Sequence, residues 1–172
     1  YRFIEGIFTF DPGITIHSYN TETHQFSGLT KNSFAFFRPD FRVLIKFKDS
    51  ETLRFVYRST QQFTDINNLG EGYIFRNYNS FFQGNPNLEA AVFNVTNLNY
   101  QSINIFNFTN IFVNLSYSLR DNAIQNTTKV EGINSIRLAT NSNFPRANYL
   151  ASVRIDKRFK NFKGGMNIIF NF

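Results

Sequence analysis

An all-β fold, an antiparallel transmembrane β-barrel wall of about eight strands, is what the sequence predicts. Three observations carry that prediction. Apolar residues recur with a period of two over long stretches, the mark of strands with unlike faces. Several of these stretches exceed the ~5–6 residues of soluble strands and approach the ~9–11 that cross a tilted bilayer. Connections alternate between short and long, the asymmetry of barrels with short turns on one side of a membrane and long loops on the other. A soluble β-sandwich alternates too, with its apolar face against a second sheet, and stays open at this point.

Taken in order, residues 1–4 form a strand end, and Glu5-Gly6 turns the chain into a strand over residues 7–21, interrupted at Asp11-Pro12-Gly13. A loop is expected over residues 22–33. Strands follow over residues 36–48 and 52–59. In Phe41-Arg42-Val43-Leu44-Ile45-Lys46-Phe47-Lys48 the odd positions are apolar and three of the four even ones are cationic. Asp49-Ser50-Glu51 suits a tight hairpin before Leu53-Arg54-Phe55-Val56-Tyr57-Arg58 repeats the pattern. Residues 60–88 read as a long irregular segment, with Asn67-Asn68, Gly70, Gly72 and Gly84-Asn85-Pro86-Asn87.

Strands are expected again over residues 89–102, 110–128, 135–159 and 163–172, joined by an intermediate connection at 103–109 and a short one at 160–161. Ile111, Val113, Leu115, Tyr117 and Leu119 alternate with Phe112, Asn114, Ser116, Ser118 and Arg120. Tyr149, Ala151, Val153 and Ile155 form the matching row further on, and Met166, Ile168, Phe170 and Phe172 form the last. Helical periodicity is weak, and the abundant Asn, Thr, Phe and Ile are poor helix formers.

Composition agrees with a wall that is neither disordered nor disulfide-stapled. The 172 residues are one domain's worth, or a piece of something larger. Aromatics reach 18% while charged residues are only 17%, against a usual ~25%. Cysteine is absent, which removes disulfides, thiolate nucleophiles and Cys-based metal sites. No stretch approaches the ~18 consecutive apolar residues of a transmembrane helix. The opening Tyr1-Arg2-Phe3-Ile4-Glu5 is not a signal peptide, so the expectation is a removed leader or a start inside a longer protein. The net charge of +6 is carried largely by strand positions that alternate with apolar ones. Arg42, Lys46, Arg54, Arg58, Arg120, Arg154 and Arg158 are the candidates for a watery lumen face, although the outer face of a sandwich would be charged as well.

At residues 53–88 the sequence resembles a known family. Leu53-Arg54-Phe55-Val56-Tyr57-Arg58-Ser59 looks like an "LRxxYxxS" strand, and Gly84-Asn85-Pro86-Asn87-Leu88 looks like the "GNPxL" that closes the long loop after it. Gly6-Ile7-Phe8-Thr9-Phe10-Asp11-Pro12-Gly13 is similar to a "G-x-F-x-F-x-P-G" strand, and Phe37-Arg38-Pro39-Asp40-Phe41 to an "LPxF" strand start. Their order and spacing resemble the C-terminal barrel of TonB-dependent outer-membrane receptors, in the branch with a carboxypeptidase-like N-terminal domain. The resemblance spans essentially the whole chain. It implies an internal piece of a barrel of about 22 strands, with the plug and the N-terminal domain absent from residues 1–172. It also implies a place in the cell outer membrane of a Gram-negative bacterium. The function implied is energised uptake of a scarce nutrient: a metal chelate, a glycan or a peptide. Implied partners are outer-membrane lipid, the plug and remaining strands of the same protein, an inner-membrane energy-transducing complex acting through the plug, and a small nutrient ligand.

No catalytic constellation is present, so neither an enzyme nor a cofactor is expected. His17 and His24 are the only histidines and read as solvated or interfacial. Asp65, Glu71 and Glu89 lie in or beside the long loop without metal-ligand spacing. Gly84-Asn85-Pro86-Asn87 reads as a turn, because no helix or Lys-Ser/Thr follows to make a phosphate cradle. Sequons at Asn94, Asn107, Asn114 and Asn126 are explained by chance in an Asn- and Thr-rich chain. Nucleic acid is not an expected partner, since the arginines alternate with lipid-type residues instead of clustering with stacking aromatics. A basic lumen wall either draws anionic ligands or pairs with plug carboxylates. Phe36, Phe37, Phe47, Tyr57, Tyr117, Tyr149, Phe159 and Phe170 are expected in interfacial girdles. Phe63, Asp65, Tyr73, Tyr78, Phe81 and Phe82 are the ligand candidates of the long loop, where Phe81 and Phe82 equally suit packing of the loop on itself.

Two alternatives remain beside the transporter reading. One is a complete small eight-stranded outer-membrane barrel with a structural or adhesive role, in which the strand near residues 163–172 pairs with that near residues 7–21. The other is a soluble β-sandwich binding module.

Overall fold

A computed structural model describes residues 1–26, 28–159 and 164–171. Twelve strands run in chain order: β1 Phe3–Glu5, β2 Phe8–Gln25, β3 Gly28–Lys48, β4 Glu51–Gln62, β5 Tyr73–Asn77, β6 Ser80–Gln83, β7 Ala91–Asn104, β8 Thr109–Asp121, β9 Ile124–Glu131, β10 Asn134–Asn141, β11 Arg146–Phe159 and β12 Gly164–Asn171. A 3₁₀ turn, Ile66–Leu69, precedes β5. Eight strands form one antiparallel sheet in the order β1-β2-β3-β4-β7-β8-β11-β12, and β5, β6, β10 and β9 form a second sheet of four.

Directly opposed residues of neighbouring antiparallel strands share a face. The pairings of the large sheet therefore chain into rows that cross it. One row reads Phe8, Ile45, Leu53, Tyr100, Val113, Val153 and Phe170. The next reads Phe10, Val43, Phe55, Leu98, Leu115 and Ala151. A third, toward the long loops, reads Pro12, Phe41, Tyr57, Thr96, Tyr117 and Tyr149. One face is thus an unbroken apolar band edged by tyrosines. Its partner face carries Asn97, Asn99, Asn114, Ser116, Ser118 and Ser152 with the arginines.

Among the described residues no second sheet covers the apolar band. The buried ones among the described residues are Phe82, Leu88, Ala91, Ala123, Ala139, Ser59 and Ser142, all at the long-loop end, and none of these lies within the band. Phe10, Ile14, Phe37, Leu115 and Tyr149 are among its exposed large side chains. A soluble protein does not leave a band of this extent to water, so the sandwich alternative falls. A bilayer is the solvent that satisfies it. Among the described residues no helix is long and apolar enough to cross a membrane; the crossing is made by strands.

The sheet is open. Among the described residues, β1 pairs only with β2, and β12 only with β11. The closure of β12 on β2 that a complete small barrel needs is not formed.

Several expected boundaries are corrected. The loop placed at residues 22–33 is strand: β2 and β3 stay paired to Gln25 opposite Gly28. At about 3.3 Å per residue the 21 residues of β3 reach roughly 70 Å, twice the ~35 Å needed to cross a 25 Å band at 45°. The outer half of the hairpin has no lipid-facing side, and one of its faces packs in part against the long loop, so its sequence loses the alternation that would have marked it. The interruption at Asp11-Pro12-Gly13 does not occur either. β1 reaches only as far as Phe10, so one side of β2 is free beyond that point, where a proline is tolerated. A Cβ at Gly13 would meet the carboxylate end of the opposing Asp40, with its Cγ at 2.7 Å, so that side chain would have to swing aside.

The irregular segment at 60–88 contains the β5–β6 hairpin. The two long strands expected at 110–128 and 135–159 each break. The first breaks at Asn122, whose φ of 52° leaves the sheet direction, and the second at residues 142–145. Their inner pieces, β9 and β10, make a second loop hairpin. The 103–109 connection is a tight turn in which Asn104 Oδ1 accepts from Asn107 N at 2.9 Å. The connection at 160–161, and the positions of Lys163 and Phe172, lie outside the described residues.

Candidate functional site

Both long loops leave the same end of the wall and pair with each other. β6 runs parallel to β10, with Ser80 opposite Ser135 and Gln83 opposite Leu138. This seam makes one lobe of the two loops. Its core is Phe82, Leu88 and Ala139, with Leu69, Ile74 and Ile124 packed around them. Asn141 stitches the loop roots together: its side chain accepts from Glu89 N at 2.9 Å and donates to Glu89 O at 3.0 Å and Asn122 O at 2.9 Å. The tip of the β2–β3 hairpin holds the first loop through Gln25, which donates to Leu69 O at 3.0 Å and accepts from Glu71 N at 2.6 Å. On the exposed edge of the lobe, Glu131 lies 2.5 Å from Lys129 and holds that ammonium above its ordinary range.

Gly84-Asn85-Pro86-Asn87 is a turn, as its residue types imply, with Asn85 Oδ1 accepting from Asn87 N at 2.9 Å. The reason for the glycine differs from the one residue type alone suggests. A Cβ at Gly84 would sit 2.6 Å from the backbone oxygens of Asn68 and Gly70, so the glycine serves close approach of two chain segments.

Below the lobe, on the polar face, the outward half of the β2–β3 hairpin carries an aromatic strip. Tyr19 opposes Phe34 and His17 opposes Phe36. The Tyr19 ring lies 4.5 Å from Phe63 and 6.1 Å from Phe36, and Phe36 lies 5.6 Å from Phe63. Arg38 Nη1 lies 3.2 Å from His17 Nε2; a guanidinium only donates, so the ring nitrogen accepts. A cavity of about 190 Å³ opens here, lined by Tyr19, Phe34, Phe63, Leu69, Pro86 and Leu88. Phe36 was expected in a membrane girdle and is corrected: it shares its face with Arg38 and Arg42. Phe37, Tyr57, Tyr117, Tyr149, Phe159 and Phe170 share the face of the apolar band, while Phe47 lies at the bulge of β3, where the register shifts. Tyr57, Tyr117 and Tyr149 form its outward edge, Phe47 and Phe159 lie toward the short turns, and Phe170 sits mid-band opposite Val153.

The six loop candidates separate. Phe63 joins the aromatic strip. Asp65 caps the 3₁₀ turn, its carboxylate accepting from Asn67 N at 2.8 Å. Tyr73 and Phe81 lie 6.3 Å apart on the outer surface of the lobe, and Tyr78 is exposed at the β5–β6 turn. Phe82 is 4% exposed inside the lobe core, so it packs the loop on its neighbours. All seven basic candidates, Arg42, Lys46, Arg54, Arg58, Arg120, Arg154 and Arg158, share the face opposite the apolar band. Arg42 opposes Asp11, which also binds Arg2 at 2.7 Å, and Arg58 opposes Asp40. Arg154 pairs with Asp156 at 3.0 Å. No three metal-ligating side chains converge among the described residues. The aromatic strip was the part that sequence reasoning missed. Its signal was the parity of Phe34 and Phe36, which match Arg38 and Arg42 and not Phe41.

An amphipathic antiparallel wall with a polar inner surface, short turns at one end and a folded loop lobe at the other defines a transmembrane β-barrel. A sequence profile of the outer membrane protein beta-barrel family matches residues 8–171. The chain belongs to that family, and its place is the outer membrane. No curated protein matches it significantly. Its fold is similar to that of the FrpB iron transporter from Neisseria meningitidis (F3-3 variant), with 12% identity and a TM-score of 0.59 over 99% of this chain and 24% of that one. It is also similar to a double mutant of the Serratia marcescens hemophore receptor HasR in complex with its hemophore HasA and heme. There the identity is 12% and the TM-score 0.56, over 96% of this chain and 30% of that one. The chain thus spans less than a third of each of these proteins, and the likeness is one of fold.

Proposed function

We propose that the chain is the outward-opening part of the barrel of a TonB-dependent receptor, which captures a scarce nutrient at the cell surface and takes it up with energy from the inner membrane. A metal chelate, a glycan or a peptide fits this role. The observation that carries the reading is the mouth: two loops fused into one lobe stand over an aromatic strip and a basic polar face. A wall built only for structure or adhesion needs no chamber on its inner face. The open sheet supports a larger barrel, because strand edges cannot face hydrocarbon unpaired. Remaining strands and a plug from the same protein would complete the ring and fill it. The likeness in fold to an iron transporter and a hemophore receptor supports the same class.

The test is ligand accumulation in cells that carry the native protein, with the inner-membrane energy-transducing complex intact or deleted. Loss of accumulation with surface binding retained is the expected result. Accumulation that survives the deletion would mean passive conduction and would overturn the energised reading.

A further inference from the structure

Strands β3 and β4 separate at the rim of the wall. β3 extends from Asp40 out to Gly28, yet its last partner on the β4 side is Arg58, opposite Asp40. β4 continues through Ser59, Thr60, Gln61 and Gln62, but these pair with β7 and not with β3. Pro39, which has no N–H to offer, stands where the ladder stops. Beyond it side chains span the gap: Arg38 Nε donates to Ser59 O at 3.3 Å, and the Phe36 and Phe63 rings lie 5.6 Å apart. A cavity of about 230 Å³ lies at the foot of this notch, lined by Thr15, Arg38, Asp40, Arg58, Ser59 and Thr60.

Between Leu29 and Arg38, β3 is therefore paired with β2 on one side, and among the described residues no backbone hydrogen bond joins that stretch to anything on the other. At about 3.3 Å per residue this open edge is roughly 33 Å long. An open edge is a template for another strand, and proteins blunt such edges with charge, proline or cover. Here Asn32-Ser33-Phe34-Ala35-Phe36-Phe37 holds neither charge nor proline. The remaining strands of a larger barrel do not close it either. They join the wall outside β1 and β12, whereas the notch lies between two strands that are already neighbours.

We propose that the β3 edge at residues 29–38 receives an extended segment of a peptide solute as an added strand, which makes peptide the nutrient class. The inference rests on the receptor reading and narrows it. A row of main-chain N–H and C=O groups recognises the same groups repeated at strand spacing; a chelate or a glycan has no such ladder to offer. Phe34, Phe36 and Arg38 of this stretch lie on the polar face, and the two rings belong to the aromatic strip. A strand laid along the edge thus turns every second side chain toward the rings of the mouth. The polar cavity at the foot of the notch admits the water that satisfies the empty edge.

The experiment uses the full-length protein in non-ionic detergent and three end-capped hexapeptides, in which threonine alternates with valine, with phenylalanine or with lysine. Calorimetry is expected to show binding of at least one. The same peptide N-methylated at every residue keeps its side chains and loses its donors, and should bind more weakly by on the order of tenfold. Asn32→Pro and Ser33→Pro test the protein's side, because successive N–H groups of a strand point to opposite edges. One of the two should melt lower, having lost a bond to β2. The other should melt like the wild type and bind the peptide about fivefold more weakly, having lost a donor of the open edge. If both variants fail to fold, the methylated peptide still decides. The proposal is overturned if the wild type binds none of the three peptides, if methylation leaves affinity unchanged, or if both folded variants bind like the wild type. A dimer in sedimentation that the open-edge variant splits would overturn it as well, since the edge would then serve a second copy of the chain. Peptide binding to the purified protein needs no energy source. Uptake that survives deletion of the energy-transducing complex, with peptide binding retained, removes the energised reading alone; energised uptake of a chelate or a glycan, with no peptide bound, removes this inference alone.

Discussion

At the scale of single residues, the solvent on each side of the wall is decided by parity. Val113 and Leu115 lie on the apolar band and Ser116 on the polar face, though only one position separates them in sequence. Replacing Val113 or Leu115 with Arg should cost about 2–4 kcal/mol, the range for a cation placed near the midplane on the lipid side of a barrel. The same change at Ser116 should cost little. Folding of the full-length protein into vesicles across a denaturant series measures both, and equal costs would contradict the assignment. Parity was also what made this level legible. The alternation of Arg42, Lys46, Arg54 and Arg58 with phenylalanine and valine needs no coordinates to be read. Phe36 was misassigned because Phe36-Phe37 is a doublet, and a doublet carries no phase by itself. Counted back from Phe41, it falls with the arginines.

At the scale of elements, the membrane-crossing strands were legible and the strands outside the bilayer were not. The reason is the same in each case. A strand announces itself when its two faces meet different solvents; β5, β6 and the outer parts of β2 and β3 meet water or small local cores. β9 and β10 were hidden differently, because their alternation runs on from β8 and into β11 and the breaks rest on Asn122 and Pro145. The parallel β6–β10 seam joins segments far apart in the chain, which no local pattern reports. The lobe core yields a prediction. Phe82→Ala should cost about 3 kcal/mol of local stability, the low end for a buried phenylalanine, since the cluster around it is small. Amide exchange in β6 and β10 should then quicken by on the order of a hundredfold, while β7, β8 and β11 keep their protection. Loss of protection throughout the wall would show that the lobe supports the barrel and does not merely stand on it.

At the scale of the whole molecule, the wall has its apolar surface outside and its polar surface inside, the reverse of a soluble domain. The absence of cysteine from the chain makes this testable with single replacements. Leu115→Cys should resist a charged, membrane-impermeant thiol reagent and react with an apolar one. Ser116→Cys, and still more Ser118→Cys nearer the mouth, should react with the charged reagent unless a plug shields them. Equal reactivity of Leu115→Cys and Ser116→Cys toward the charged reagent would mean that the band does not face lipid. The barrel class was legible in the alternation, and the outer-membrane place in the motifs at residues 6–13, 37–41, 53–59 and 84–88, while the aromatic strip needed register, because register alone decides which residues of separate strands stand opposite each other.

The seam between β6 and β10 has a further consequence, for the way such a protein diversifies. A loop that stands alone can lengthen freely, and receptors vary their specificity in that way. Here the two loops share a ladder, so inserting one residue within β6 would turn Phe82 outward and present a neighbour to the lobe interior. Inherited change in these loops should therefore come in steps of two residues, or in both loops at once.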